Sequence, residues 1–215
     1  MISHDLIITT FDSDKYIKNI FNIITTNYKQ FTRFIIIDDF SKETFFINLK
    51  KEFEVFSKVT IFRNKKNSGV SVSRNKGINL SNSKYVSFFD PDDYFHPQKA
   101  EIINFYLQRL KPQVLFHDYE IKSKGFNYID PDLKEKDIQI HDKYIYLYKS
   151  IYVTPAFTCK REVLKKINGY NESYRHAEDF ELYIRLRKIT PFHFINLKLA
   201  RICSFHSKGY SKQNL

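Results

Sequence analysis

Four short stretches of this 215-residue chain carry side chains able to do chemistry. In Phe88-Phe-Asp-Pro-Asp-Asp93 the carboxylates of Asp90, Asp92 and Asp93 follow an apolar run directly. Crowded carboxylates repel one another, and hard oxygen donors of this kind suit Mg²⁺ or Mn²⁺, which keep waters and take substrate phosphates as further ligands. Capping of a helix that starts near Pro97 would use the same acids. The Gly and distal Glu of an EF-hand loop are missing. Asp38-Asp39 ends a second apolar run; it could accept hydrogen bonds from a base or a ribose hydroxyl, or form a solvated cap together with Ser41. Asn67-Ser-Gly-Val-Ser-Val-Ser-Arg-Asn-Lys-Gly77 opens a helix. There Gly69 permits close backbone approach, a helix start favours negative charge, and Arg74, one turn in, could reach a phosphate. The stretch is neither a P-loop nor a dinucleotide G-x-G-x-x-G. In His176-Ala-Glu-Asp179 the acids Glu178 and Asp179 begin a helix. They either complement its dipole or supply a general base held rigid by the helix.

Such residues need elements to position them. Periodicity predicts strands over 5–10, 34–37, 59–62, 85–89 and 114–116. It predicts helices over 14–28 (capped by Asp12 or Ser13), 43–53, 70–80 and onward from Pro97. This alternation argues for a layered α/β sheet, largely parallel in the first half, whose ligands sit at the carboxyl ends of the strands. Both acidic clusters, 38–39 and 90–93, fall there. The second half reads differently. Residues 122–143 suit a surface loop or small hairpin, 151–159 an extended segment, 161–167 a short helix stopped by Asn168-Gly169, and 177–188 a stronger helix. Residues 192–195 and 199–205 suit two closing strands. No repeat or linker is visible, so one domain is expected.

Composition sets the outer bounds. With 21 Phe and 15 Tyr the chain is too aromatic to be disordered. Two cysteines exclude a disulfide framework and a four-Cys zinc ribbon. No apolar run is long enough to span a membrane and no leader is visible, which places the chain in the cytoplasm as an expectation. The formal charge of +11 fits either an AT-rich genome or attraction to something anionic: nucleic acid, a membrane surface or a phosphorylated ligand.

Taken together, the order and spacing of these stretches resemble the inverting nucleotide-sugar glycosyltransferases of family 2. The resemblance runs from Ile7 to about Ser211. It is carried by Ile7-Ile-Thr-Thr-Phe, by Phe34-Ile-Ile-Ile-Asp-Asp-Phe-Ser, by Asn67-Ser-Gly with Ser73-Arg-Asn-Lys-Gly77, and by Phe88-Phe-Asp-Pro-Asp-Asp. Phe157-Thr-Cys-Lys-Arg-Glu-Val-Leu, Asn168-Gly-Tyr-Asn-Glu and Ala177-Glu-Asp-Phe-Glu-Leu-Tyr-Ile-Arg-Leu complete it. Gly69, Gly77 and Gly169 fall on glycines of that pattern. The chain departs from it where Phe40 replaces Gly, Ser73 replaces Ala and Asp12 replaces Asn; Phe40 puts the local turn in question, because glycine tolerates positive φ and Phe does not.

The resemblance implies a GT-A fold: a Rossmann-like three-layer sandwich with a mostly parallel central sheet, a nucleotide-sugar-binding half (1–118) and a smaller acceptor-binding and catalytic-base half (119–215). It implies that Thr9, Phe11, Asp38, Asp39, Asn67, Gly69, Arg74, Asp90, Pro91 and Asp92 bind the donor, a nucleoside diphosphate sugar. UDP is favoured by family frequency, with Asp39 accepting from the uracil ring N–H. Asp92 leads the implied Mn²⁺ or Mg²⁺ ligands, with Asp90, Asp93 and His206 behind it. Asp179 is the implied base, and Glu178 positions the acceptor or the base. The acceptor would be a glycan or a lipid-linked glycan in surface polysaccharide synthesis, and the basic charge fits peripheral contact with the inner face of the plasma membrane. Three rivals stand beside this reading. A sugar nucleotidyltransferase shares the sheet and the metal, but Ile7–Ser13 lacks the Gly-rich triphosphate loop. A nucleic-acid binder has the charge but no recognition signature, so no nucleic-acid partner is expected. An inactive GT-A scaffold is disfavoured because all the acids are present.

Overall fold

The computed structural model of the chain describes residues 2–121, 138–141 and 153–202. Strand and helix alternate where periodicity predicts: β1 (His4–Thr10), α1 (Ile17–Asn27), β2 (Arg33–Asp38), α2 (Glu43–Phe53), β3 (Val59–Arg63), α3 (Val70–Leu80) and β4 (Tyr85–Phe89). Then come β5 (Tyr94–Phe95), α4 (Lys99–Leu110), β6 (Val114–Ile121), β7 (Ile138–His141), β8 (Phe157–Lys160), α5 (Arg161–Lys166), α6 (Glu178–Ile189) and β9 (Phe192–Ile202).

The nine strands form one sheet in the order β3-β2-β1-β4-β8-β6-β9-β5, with β7 also paired to β9. The pairs β2–β3, β1–β2 and β1–β4 are parallel. β8 is wedged antiparallel between β4 and β6, so β6 regains the direction of β4, and β9 follows β6 in parallel. β5 and β7 run antiparallel to β9. The first three strands step outward from β1, and β4 returns on its other side. That reversal opens a crevice at the carboxyl ends of β1 and β4, where sheets of this type bind ligands.

Both faces of the central strands β1, β2 and β4 are buried, and β1 shows how. Ile7 packs with α3, α5 and α6 through Ile78, Leu164 and Leu182. Its neighbours Leu6 and Ile8 pack on the opposite face with α1 and α2 through Ile20, Ile24, Phe45 and Leu49. On β4, Val86 and Phe88 face the first set, while Tyr85 joins Ile103 and Leu107 of α4. A strand covered on both faces needs apolar residues at every position rather than at alternate ones, which is what Leu6-Ile-Ile and Phe34-Ile-Ile-Ile provide. Three layers result: α3, α5 and α6; the sheet; α1, α2 and α4.

Several local expectations are adjusted. Residues 192–202 form one strand rather than two, with the irregularity expressed as a register shift around Asp118 of β6. Neither Asp12 nor Ser13 caps α1; a 3₁₀ turn, Asp14–Tyr16, intervenes, and the Ser13 hydroxyl donates to the Phe11 carbonyl instead. The stop after α5 is as expected. Asn168 takes φ +61° and Gly169 +64°, and their amides return to the carbonyls of Lys165 and Leu164. Of residues 122–143 only β7 is described, and His206 and Cys203 lie outside the described residues. No helix among those described is long and apolar enough to cross a membrane.

Candidate active site

A cleft of about 330 Å³ opens at the crevice, lined by Thr9, Thr10, Phe11, Asp39, Val70, Ser73, Arg74, Asp90, Pro91, Asp92 and Asp93. That volume suits a small-molecule ligand. Each wall has a distinct support. The end of β1 supplies Thr9 and Thr10, and half-exposed Phe11 forms the lip. The turn after β4 supplies the acids, and α1 secures it: the Asn19 amide donates to the carbonyls of Pro91 (2.7 Å) and Asp93 (2.6 Å).

The two aspartates that end β2 serve different ends. Asp38 is fully buried and does not line the cleft; it accepts from the Ser41 amide and hydroxyl and pairs with Arg63. Burial raises its pKa, against the lowering effect of Ser41 and Arg63. Asp39 faces the cleft and accepts from Asn64 Nδ2 (2.7 Å), Ser68 N (2.9 Å) and Gly69 N (2.7 Å). Gly69 stands at φ +93°, which sets its amide for this bond. Its place is therefore behind the wall, and Asn67 is exposed on the same loop. Between the aspartates and α2, Phe40 adopts φ +66°, the conformation a glycine would take. The strain of a bulky residue there is about 1–2 kcal/mol. Its ring is 48% exposed and sits 5.1 Å from the Arg63 guanidinium, a partial offset.

Arg74 binds the two halves of the chain together. It is 4% exposed. Nη2 donates to both oxygens of Asp90 at 3.0 Å, and Nη1 donates to Glu178 Oε1 at 2.7 Å. Its guanidinium also lies 5.3 Å from the centre of the Tyr170 ring. Burial opposes its charge, but Asp90, Tyr170, Glu178 and Asp179 more than compensate, and its pKa is held well above the ordinary arginine value. The expected role as a free cation for a phosphate is thus joined by a second one, since this charge already answers two carboxylates.

Asp179 follows Glu178 on the first turn of α6. Its carboxylate accepts from the Phe180 amide (2.7 Å) and from the Thr154 hydroxyl (3.4 Å). Burial first, and then the neighbouring charge of Glu178, raise its pKa above the ordinary aspartate value, against the pull of Arg74. A carboxylate so raised is a stronger proton acceptor than an exposed one. Ala177 caps α6 at φ +55°, so the chain turns sharply as it delivers the two acids.

Among the described residues no group of three or more His, Cys, Asp or Glu side chains could hold a metal ion. The residues at the cleft floor fit a shared cation rather than a closed cage: Asp92 lines the cleft, and Asp90 Oδ2 accepts one hydrogen bond, leaving it a lone pair. Mg²⁺ and Mn²⁺ sites of one or two carboxylates are completed by substrate phosphates. Asp93 also lines the cleft but is more deeply buried.

Sequence reasoning missed Asn64, which holds both Asp39 and Ser73 (3.0 Å) from just beyond β3, and Thr154. The one signal for Asn64 was a polar residue at a strand's carboxyl end; Thr154 gave none.

Comparison with known proteins bears on this arrangement. The family model described as glycosyl transferase family 2 matches residues 5–168. That span takes in the acidic turns and α3 but stops short of α6, less than the Ile7 to Ser211 of the sequence resemblance. An uncharacterised glycosyltransferase of Haemophilus influenzae is 31% identical over 183 residues, covering 82% of this chain and 60% of that protein. The Staphylococcus aureus poly(ribitol-phosphate) beta-N-acetylglucosaminyltransferase TarP is 36% identical over 95 residues, 42% of this chain and 28% of that protein. Among solved structures, S. aureus TarS 1–349 in complex with UDP-GlcNAc superimposes with a TM-score of 0.77 at 16% identity, over 100% of this chain and 62% of that one. The chain therefore spans about 60% of the length of the Haemophilus relative. The TarS likeness establishes the GT-A fold.

Proposed function

Because the chain belongs to glycosyl transferase family 2, we propose that it moves a sugar from a nucleoside diphosphate donor to a hydroxyl acceptor with inversion at the anomeric carbon. The single observation that carries this reading is the Arg74 bridge. It ties Asp90, on the acidic turn after β4, to Glu178, on the helix bearing Asp179. A cleft acid and the first turn of the helix that bears the candidate base are thereby held to one side chain, although Glu178 and Asp179 are not themselves among the residues that line the cleft.

In this reading the nucleoside lies over the carboxyl ends of β1 and β2. Phe11 offers a ring at the lip, and Asp39, fixed by three hydrogen bonds, accepts from the base. Thr9 stands next to Asp90, its hydroxyl 3.4 Å from Oδ1. A divalent cation, when bound, would be held by Asp92 with Asp90 and would neutralise charge on the departing diphosphate. Asp179 takes the proton of the acceptor hydroxyl as its oxygen attacks the anomeric carbon from the face opposite the diphosphate. Glu178, paired to Arg74, keeps the first turn of α6 in place. Such a displacement follows the carboxylate logic of inverting glycosidases, with an acceptor hydroxyl in place of water.

The donor chosen for the first assay is UDP-GlcNAc, since TarS is solved with it and TarP is named for that transfer. A glycan or lipid-linked acceptor, a setting in polysaccharide synthesis, a cytoplasmic location and contact with an anionic membrane surface complete the proposal, the last supported by the +11 charge. Calorimetry with UDP, GDP, dTDP and UDP-GlcNAc, each with and without Mn²⁺, tests it. The expected result is binding of UDP and UDP-GlcNAc that strengthens with the ion. Failure of every nucleoside diphosphate to bind, or release of pyrophosphate from UTP and a sugar phosphate, would overturn it.

A further inference from the structure

One buried amine lies between the supports of the cleft acids and of Asp179. Lys99, the first residue of α4, is 1% exposed. Lysine is almost never buried so fully without a partner. Its Nζ donates to the carbonyl of Pro155 and stands 3.3 Å from the centre of the Phe95 ring. Burial pushes its pKa well below the ordinary lysine value, against the opposing pull of Asp93. His117, fully buried beside it, is likewise pushed down, by burial first and by Lys99 next.

Pro155 is the middle residue of the 3₁₀ turn Thr154–Ala156, which leads directly into β8. The preceding residue, Thr154, is buried, and its hydroxyl reaches Asp179 Oδ2 at 3.4 Å. On its other side Lys99 begins the helix that follows the acidic turn in the chain: its amide donates to the His96 carbonyl (2.9 Å), and its charge feels that of Asp93. Lys99 therefore connects the start of α4 to the segment that steadies the candidate base. An apolar side chain would fill the same space without the cost of burying an ammonium. The feature that only the amine supplies is the bond to Pro155.

We infer that Lys99 is a positioning residue: by holding the Thr154–Ala156 turn against the start of α4, it sets Thr154 to orient the Asp179 carboxylate. This rests on the reading of Asp179 as the base. It asks nothing of Lys99 in contact with substrate.

The test uses Lys99→Met, Thr154→Val and the double variant. Met fills the volume of the lysine stem, and Thr154→Val leaves Lys99 and its packing untouched. Each single substitution is expected to lower kcat by about 10- to 100-fold, the cost of displacing a catalytic group from afar. The donor KM should stay unchanged, and the double variant should be no worse than the weaker single one. In parallel, ¹³C-carboxyl NMR, with the Asp179 signal assigned through Asp179→Asn, follows that carboxyl directly. Losing a hydrogen bond to its charged form should move its titration upward in both single variants. Unchanged kcat, additive losses, a change confined to donor KM, or an unmoved Asp179 titration would overturn the inference. The NMR reading needs no transfer. A wild-type protein that moves no sugar would defeat the catalytic reading, while the titration still decides the role of Lys99. If Lys99→Met does not fold, Thr154→Val alone decides: an unmoved carboxyl breaks the link.

Discussion

At the scale of the residue, Asp179 carries the sharpest expectations. Its pKa is raised by burial and by Glu178, so the acidic limb of the rate profile should lie above the ordinary aspartate value, with activity falling as pH drops through it. Asp179→Asn should bind UDP as the wild type does and lose transfer by about 10²-fold or more. The same shift has a consequence for stability. Over the window between the unfolded and folded pKa values, the folded chain holds a proton that the unfolded chain has released. The contribution of this group to stability therefore falls as pH rises through that window. Thermal melts should show Asp179→Asn more stable than wild type at neutral pH, with the gap closing in acid. The sequence made Asp179 legible as a candidate but could not separate Asp38 from Asp39. Adjacent residues at a strand end point to opposite sides, and here one goes under the turn and the other to the cleft. Thr154 and Lys99 were illegible for a different reason. Each acts through a hydrogen bond to a partner 25 or more positions away, which no local spacing announces.

At the scale of the element, α3 shows why a glycine sits inside a helix, where it costs about 1 kcal/mol relative to alanine. A Cβ on Gly77 would come 2.5 Å from Cγ2 of Ile7, a fully buried residue of β1. The missing side chain lets α3 lie close enough to the sheet for Ser73 and Arg74 to reach the cleft. Gly77→Ala should therefore destabilise the protein by about 1–3 kcal/mol through overpacking, despite its better helix propensity; denaturant titration measures it. The strands and helices of the first half were legible because each repeats a single period over many residues. β5 was not, being two residues long, nor was the antiparallel entry of β8 between β4 and β6, since strand partners are chosen by tertiary packing rather than by the strand's own pattern.

At the scale of the whole molecule, the Arg74 bridge makes the acidic turn after β4 and the first turn of α6 depend on one guanidinium. Arg74→Met would leave Asp90 and Glu178 facing one another without a cation. Removing one partner of a buried pair costs about 3–5 kcal/mol, and chemical denaturation should show a loss of that order together with loss of donor binding. Arg74→Lys should recover only part of it, because an ammonium lacks the planar fork that serves two carboxylates at once.

The wedge of β8 reaches further still. Its four residues, 157–160, complete the pairing of β4 on one side and of β6 on the other. While the chain is being synthesised, the first 120 residues emerge with those two edges bare. No early half can close on itself and wait for the rest. The decisive step of assembly is thus postponed until residues 157–160 leave the ribosome, and an unpaired β4 edge is where self-association would begin during that delay.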